Sequence, residues 1–451
     1  MARIIVIGAG VAGLAAAARM AGAGGANEVT LVERNSVPGG SLNWAFPGVL
    51  TLPAVLRDLF VKTGGRKASA AGLLEDVVDL RAVDPVRAYL FSDGSRLLLP
   101  NAARGAAKDA FDGAFGAGAG DAWLRVVDHG GRAWSAIRPG LVEVPDVGRG
   151  DLWRLLRSSD ARRAVAPRRT LRQVGEDAGV RDPRMWSILD EYAKAAGAEP
   201  AEAPAVLAVR LYIEQTFGAW RIVGGFSELA SAMYERCLKR GVSFRFDAEV
   251  GSVASGVVTL VDGEKLATDV IVAAVDAHVL GRLTGRTRAA GAVGAGYSPS
   301  ILSVRIASGA AAGELPYETV IFGEGDAGGA PTMRVQVAPE RPGEWIVHAD
   351  VGWGTELIRE RVADRLGVRG DALEVRDVFT PADRERLTGT PGGSVNGPAI
   401  DSLSSAVLRS PTVQPVKGLL HVGGSSRPGP GIAFEALSAW NAAEVLKPTR
   451  V

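Results

Sequence analysis

The six residues Gly8-Ala-Gly10-Val-Ala-Gly13 constrain this chain more than any others. They follow a short β-branched run, Arg3 to Ile7, and open an alanine-rich segment, Val11 to Met20, that reads as a helix. Val29 to Val32 supplies a second strand. The βαβ unit implies a parallel sheet with helices on its faces. In this spacing Gly8 permits the tight turn out of the strand. Gly10 lets the backbone approach a pyrophosphate, and Gly13 lets the helix pack closely on the strand. The pyrophosphate then meets a helix N-terminus, where free N–H groups and the dipole favour negative charge. Glu33 lies twenty residues past Gly13, at the end of the second strand, where a carboxylate accepts hydrogen bonds from ribose hydroxyls. Alone, the fingerprint specifies a dinucleotide and leaves FAD and NAD open. An acid at Glu33 argues against NADP.

A second glycine cluster selects FAD. Arg34-Asn-Ser-Val-Pro-Gly39-Gly40 follows Glu33 directly and can fold amides around the same pyrophosphate. At the far end, Gly423-Gly424-Ser-Ser-Arg427-Pro-Gly-Pro-Gly431 lies between a strand and a helix, another helix N-terminus aimed at a polar group. Two such turns at opposite chain ends suit one long cofactor lying across one sheet. No second G-x-G-x-x-G unit follows.

The rest of the chain divides by pattern. Val86 to Leu99 reads as a hairpin around Asp93-Gly94. From Asn101 to about Ala208 apolar residues recur at helical spacing, as at Met185, Ile188, Leu189 and Tyr192. Ser227 to Lys239 reads as a helix, then Val242 to Phe246, Gly256 to Leu260 and Asp269 to Val275 as strands. Between Ser300 and Val351 four alternating segments (Leu302 to Ile306, Thr319 to Phe322, Met333 to Val337, Trp345 to Ala349) predict an antiparallel or mixed sheet. Glu356 to Leu366 is helical, Leu419 to Val422 a last buried strand, and Phe434 to Leu446 a final helix.

With 451 residues, 47% hydrophobic and 22% charged, the chain has apolar material for a large core. A net charge of +1 gives no global field for nucleic acid. The single cysteine, Cys237, excludes an intrachain disulfide and fits a reducing, cytoplasmic setting. His129, His278, His348 and His421 are scattered without metal-ligand spacing, so no metal site is predicted. The apolar run from Ile4 to Ala21 is broken by its glycines and reads as part of the fold, not a leader.

Five segments together resemble the phytoene desaturase (carotenoid desaturase) family of FAD-dependent oxidoreductases, within the amine-oxidase-like flavoproteins. They are the N-terminal motif through Gly40, Leu50 to Phe60, Glu214 to Gly225, Val272 to Ala277 and Gly418 to Ile432. The resemblance implies a glutathione-reductase-like FAD-binding Rossmann domain of α/β class, discontinuous over 1–70, 222–280 and 412–451. It adds a mixed or antiparallel substrate-domain sheet (71–120 and 281–411) and a helical subdomain (121–221). The cofactor set expected is Gly8, Gly10, Gly13, Glu33, Arg34, Gly39, Gly40, Val250, Gly423, Gly424, Gly431 and Ile432. Trp220, Gly224, Gly225 and Arg427 are the substrate-side candidates. No catalytic residue is identified.

The same resemblance implies a desaturase that removes hydride from C–H bonds of an isoprenoid or polyene, with oxygen or a quinone as electron acceptor. An oxidase of an amine or natural-product intermediate is the alternative, and a cage of Trp220 and Tyr212 would favour it. A redox-neutral isomerase is another, and a flavoprotein partner without catalysis a third. The chain departs from the family at Ser41, where arginine is usual, in the short Ser41 to Gly48 segment, and at Arg427, where histidine is frequent. Arg427 reads either as a cation near the flavin or as a surface arginine.

Residues 151–173 hold seven arginines against two acids, with Trp153, Leu155 and Leu156 among them. They read either as a solvated face or as a peripheral contact with the inner face of a membrane. His421 reads as a satisfied core histidine, and Asp276 as a cap of the turn that follows it.

Overall fold

A computed structural model describes residues 2–21, 27–44, 48–64, 72–286, 296–298, 301–308, 315–323 and 332–446. The strand Ala2–Ile7 occupies the centre of a five-stranded sheet. Its neighbours are Val270–Ala273 and then Leu419–His421 on one side, and Asn27–Val32 and then Ser243–Arg245 on the other. All four pairings are parallel. Strand residues alternate between faces, and the alternation feeds two separate cores. Ile4 and Val6 pack with the helices Val11–Met20 and Ile432–Val445. Ile5 and Ile7 pack with Val253, Val258 and Leu260 of a small three-stranded sheet and with Leu280 and Leu283. Burial on both faces explains why the strand has no polar alternation.

The second large sheet has seven strands in the order Leu373–Phe379, Ile301–Ser308, Glu344–Asp350, Met333–Val337, Glu318–Ile321, Arg87–Leu90, Arg96–Leu99. Only Glu318–Ile321 and Arg87–Leu90 pair in parallel, so the sheet is mixed. Residues 104–217, which follow Arg96–Leu99, are mostly helical: Arg104–Phe115, Ala119–Ile137, Arg149–Arg157, Ser159–Val165, Leu171–Ala178, Pro183–Ala195 and Ala208–Phe217. Their core, around Trp123, Ile188 and Leu211, also takes in Tyr89 and Val320 from the second sheet. The closing helix begins at Ile432, two residues earlier than the sequence suggests. Gly431, at φ 119°, completes the turn, and helical geometry starts at the next residue.

The arginine-rich segment is divided among three helices, and its Leu152, Leu155 and Leu156 turn inward against the core around Trp134 and Val165. Only Trp153 among its large apolar side chains is left outside, 63% exposed, with the Arg157 guanidinium 4.8 Å from its ring.

Candidate active site

The turn after Ile7 is built by three glycines with three different jobs. Gly8 has φ 98°, and a Cβ there would lie 2.7 Å from the Ala274 carbonyl oxygen. A Cβ on Gly13 would sit 1.8 Å from the Gly8 carbonyl oxygen, so the helix can lie this close only with glycine. A Cβ on Gly10 would meet nothing within 4 Å. Gly10 therefore presents bare backbone to open space at a helix N-terminus, the cradle a pyrophosphate requires.

Glu33 is buried. Its carboxylate accepts a hydrogen bond from the Ala9 N–H at 2.6 Å, and from Asn35 through its N–H at 2.9 Å and its amide at 2.8 Å. These bonds fix the acid at the rim of the turn. An ionised carboxylate has about four acceptor sites, so one is left for a ribose hydroxyl. Gly39, at φ 119°, donates its N–H to the Ala9 carbonyl at 2.8 Å and brings the second glycine pair over the first.

A crevice of about 220 Å³ runs from Glu33, Arg34 and Val250 past Gly8, Gly10 and Gly40 to Gly423, Gly424 and Ser425. It joins both glycine clusters across the carboxyl ends of the parallel strands, where ligands of open α/β sheets bind. Gly13 and Gly39 lie outside its lining and act through the turn. Ser41 lines it, whereas residues 45–47 of the short segment fall outside the described residues. Asp276 does two things at once. It caps the helix Ala277–Leu283 by accepting the His278 N–H at 2.8 Å, and it lines the crevice, where the Tyr297 hydroxyl donates to it at 2.9 Å.

Glu435, on the first turn of the closing helix, also lines the crevice and was not singled out in the sequence. Burial pushes its carboxyl up to about 7, against a lowering pull from the Gly431 N–H. His421 is a satisfied core histidine. Its Nδ1 meets the Ser410 hydroxyl at 2.7 Å and its Nε2 the Val275 carbonyl at 2.9 Å, and burial lowers its pKa.

A second chamber, about 330 Å³, adjoins the crevice and shares Val395, Asn396 and Pro430 with it. Gly431 and Ile432 line this chamber rather than the crevice. Part of the lining is apolar: Leu50, Ile213, Val320, Met333, Ile432 and Phe434. Charged groups are interleaved with these residues. Arg87 pairs with Glu318 and, at 3.3 Å, with Glu214; Arg334 pairs with Glu191 and, at 3.0 Å, with Glu318. Burial pushes the Glu318 carboxyl up, but Arg334 and Arg87 outweigh it and hold it at about 2. Burial lowers His348 to about 3, helped by Arg334 and Arg384, so its ring is neutral. It bridges Ser303 at 2.8 Å and Gln336 at 3.1 Å.

The four substrate-side candidates line neither cavity. Trp220 lies in a two-stranded ribbon with Leu80–Ala82, and the Arg57 guanidinium sits 5.6 Å from its ring. Gly224 and Gly225 form the exposed turn before the helix Phe226–Lys239. Arg427 is 9% exposed, which overturns the surface reading. Its Nε donates to the Arg409 carbonyl at 3.1 Å. Tyr212 does not line the chamber either, so no aromatic cage with Trp220 faces it. No group of three or more His, Cys, Asp or Glu among the described residues is arranged to hold a metal ion.

Comparison with known proteins places the chain in a family. A family profile described as FAD dependent oxidoreductase matches residues 3–305. A 4,4'-diapolycopene oxygenase of Methylomonas sp is 31% identical over 288 residues, 60% of this chain and 55% of the relative. The chain thus matches only about half the length of that protein. A hydroxyneurosporene desaturase of Cereibacter sphaeroides is 28% identical, with 98% of this chain and 97% of the relative aligned. An oxidoreductase of known structure from Methanosarcina mazei superposes with a TM-score of 0.61 at 14% identity, covering 98% of this chain and 100% of that one, which speaks to the fold alone. The profile match spans the glycine turn, Glu33 and most of the parallel sheet that carries them, and with it the chain belongs to the FAD-dependent oxidoreductase family.

Proposed function

We propose that this protein is a desaturase that takes hydride from C–H bonds of a hydrophobic polyene or isoprenoid. The observation that carries the reading is the junction of the dinucleotide crevice with a half-apolar chamber at Val395, Asn396 and Pro430. Support comes from the relatives named diapolycopene oxygenase and hydroxyneurosporene desaturase. When bound, FAD supplies the hydride acceptor.

The backbone at Gly8, Gly10 and Gly40 holds the pyrophosphate, Glu33 a ribose, and Gly423, Gly424 and Ser425 the other half of the cofactor. Leu50, Val320, Met333 and Phe434 grip the carbon chain and exclude water from it. Oxygen or a quinone takes the electrons onward. Product analysis with a panel of carotenoid precursors tests the reading: products with extended conjugation support it, and isomers of unchanged hydrogen content refute it.

A peripheral membrane contact through residues 151–173 is part of the proposal. No helix among the described residues is long and apolar enough to cross a membrane. Trp153 stands exposed among Arg149, Arg154 and Arg157, a pairing of aromatic anchor and basic charge suited to an anionic interface. Sedimentation with phosphatidylglycerol vesicles, lost in Trp153→Ser and in high salt, is the expected outcome. Equal sedimentation with neutral vesicles contradicts it.

A further inference from the structure

Among the carboxylates in and behind the lining of the second chamber, three are committed, and Asp350 lines it as well. Glu214 is held by Arg87 and by the Tyr192 hydroxyl, Glu191 by Arg334, and Glu318 by both arginines. Arg210 is different. It lines the chamber on the same face of the helix Ala208–Phe217 as Ile213 and Glu214, at i, i+3 and i+4 spacing. Yet among the described residues its guanidinium makes no hydrogen bond and no ion pair. Glu191, the carboxylate that favours its charge, is already bound to Arg334. Burial lowers its pKa, and the Glu191 charge opposes that shift.

Its surroundings make the vacancy of partners more costly. The Arg409 guanidinium feels the charge of Arg210, and its own Nε and Nη1 are buried without partners. Lys194 adds a further cation to the lining, near Asp350. A half-buried guanidinium with free donors facing a chamber is stabilised by a planar oxyanion that accepts two parallel hydrogen bonds. Apolar residues, among them Ile213, Met333 and Phe434, line the same chamber.

We propose that Arg210 is a carboxylate-binding subsite of the substrate chamber, so that the substrate is an apolar chain ending in a carboxylate rather than a bare hydrocarbon. The inference rests on the chamber being the substrate site of the flavoenzyme. A charge-assisted hydrogen bond contributes about 1.5–3 kcal/mol, roughly ten- to a hundredfold in affinity.

The test is calorimetric binding of retinoic acid, methyl retinoate and farnesyl diphosphate to the FAD-loaded protein and to its Arg210→Met and Arg210→Lys variants. The wild type binds the acid at least about tenfold more tightly than the ester, Arg210→Met removes that preference, and Arg210→Lys keeps part of it. Four results overturn the proposal. They are no binding of the acid, equal affinity for acid and ester, a preference that survives Arg210→Met, and tighter binding of the diphosphate, which assigns the site to phosphate. Loss of FAD from Arg210→Met overturns it too, because the guanidinium then serves the cofactor. The desaturase reading fails separately: an Arg210-dependent preference for the acid, with no conjugated product on turnover, leaves the subsite standing and removes the reaction.

Discussion

Gly10 and Gly13 lie three residues apart and answer to different demands. Space around the Gly10 Cβ position is open, and its φ of −76° suits any L-residue. The motif spacing already gives the two glycines different roles, and the geometry bears that out. Gly10→Val is therefore expected to fold with a stability within about 0.5 kcal/mol of the FAD-free wild type and to retain no FAD. Gly13→Ala forces its Cβ into the Gly8 carbonyl and destabilises the fold itself. Thermal melts of the FAD-free proteins beside flavin content check both; a yellow Gly10→Val protein contradicts the cradle.

Glu435 carries the pH dependence at this scale. A carboxyl held up at about 7 binds more protons folded than unfolded between its ordinary 4.5 and 7. It contributes stability that is present in acid and lost as pH rises through that window. The FAD-free wild type should lose more stability than Glu435→Gln across it, as measured by urea unfolding at several pH values. Identical pH slopes contradict the assignment. Nothing in the sequence announces Glu435, because a lone acid one turn into a helix is ordinarily a favourable N-terminal charge.

Elements bring together what the sequence keeps apart. The βαβ unit was legible because strand, turn, helix and acid follow one another within forty residues. The charged network was not. Arg87 meets Glu214 and Glu318 across 127 and 231 residues, so no local spacing betrays the network. The strand patterns placed Met333–Val337 and Glu344–Asp350 well, but alternation says which face is apolar and not which polar residue will be buried against a helix from another part of the chain. The inward turn of Leu152, Leu155 and Leu156 has the same origin, since helical spacing defines a face without saying what covers it.

The network also carries a stability prediction. Arg87→Met leaves Glu318 and Glu214 short of a buried partner, and removing one member of a buried ion pair costs about 3–5 kcal/mol. Urea unfolding measures it. A loss below about 1 kcal/mol means that water reaches the network and it is not sealed.

At the scale of the whole molecule, the first sheet presents both glycine clusters to one crevice, and the second sheet and the helices close a chamber against its end. Apolar and charged side chains both line that chamber. The central claim is that a C–H bond held in this chamber is oxidised by the flavin. The most direct measurement mixes the FAD-loaded protein with a polyene substrate without oxygen or quinone and follows the flavin's visible absorbance while the product is analysed. The account predicts loss of the oxidised flavin band matched mole for mole by product with one additional carbon–carbon double bond. An unchanged flavin spectrum, or a product rearranged without loss of hydrogen, contradicts it.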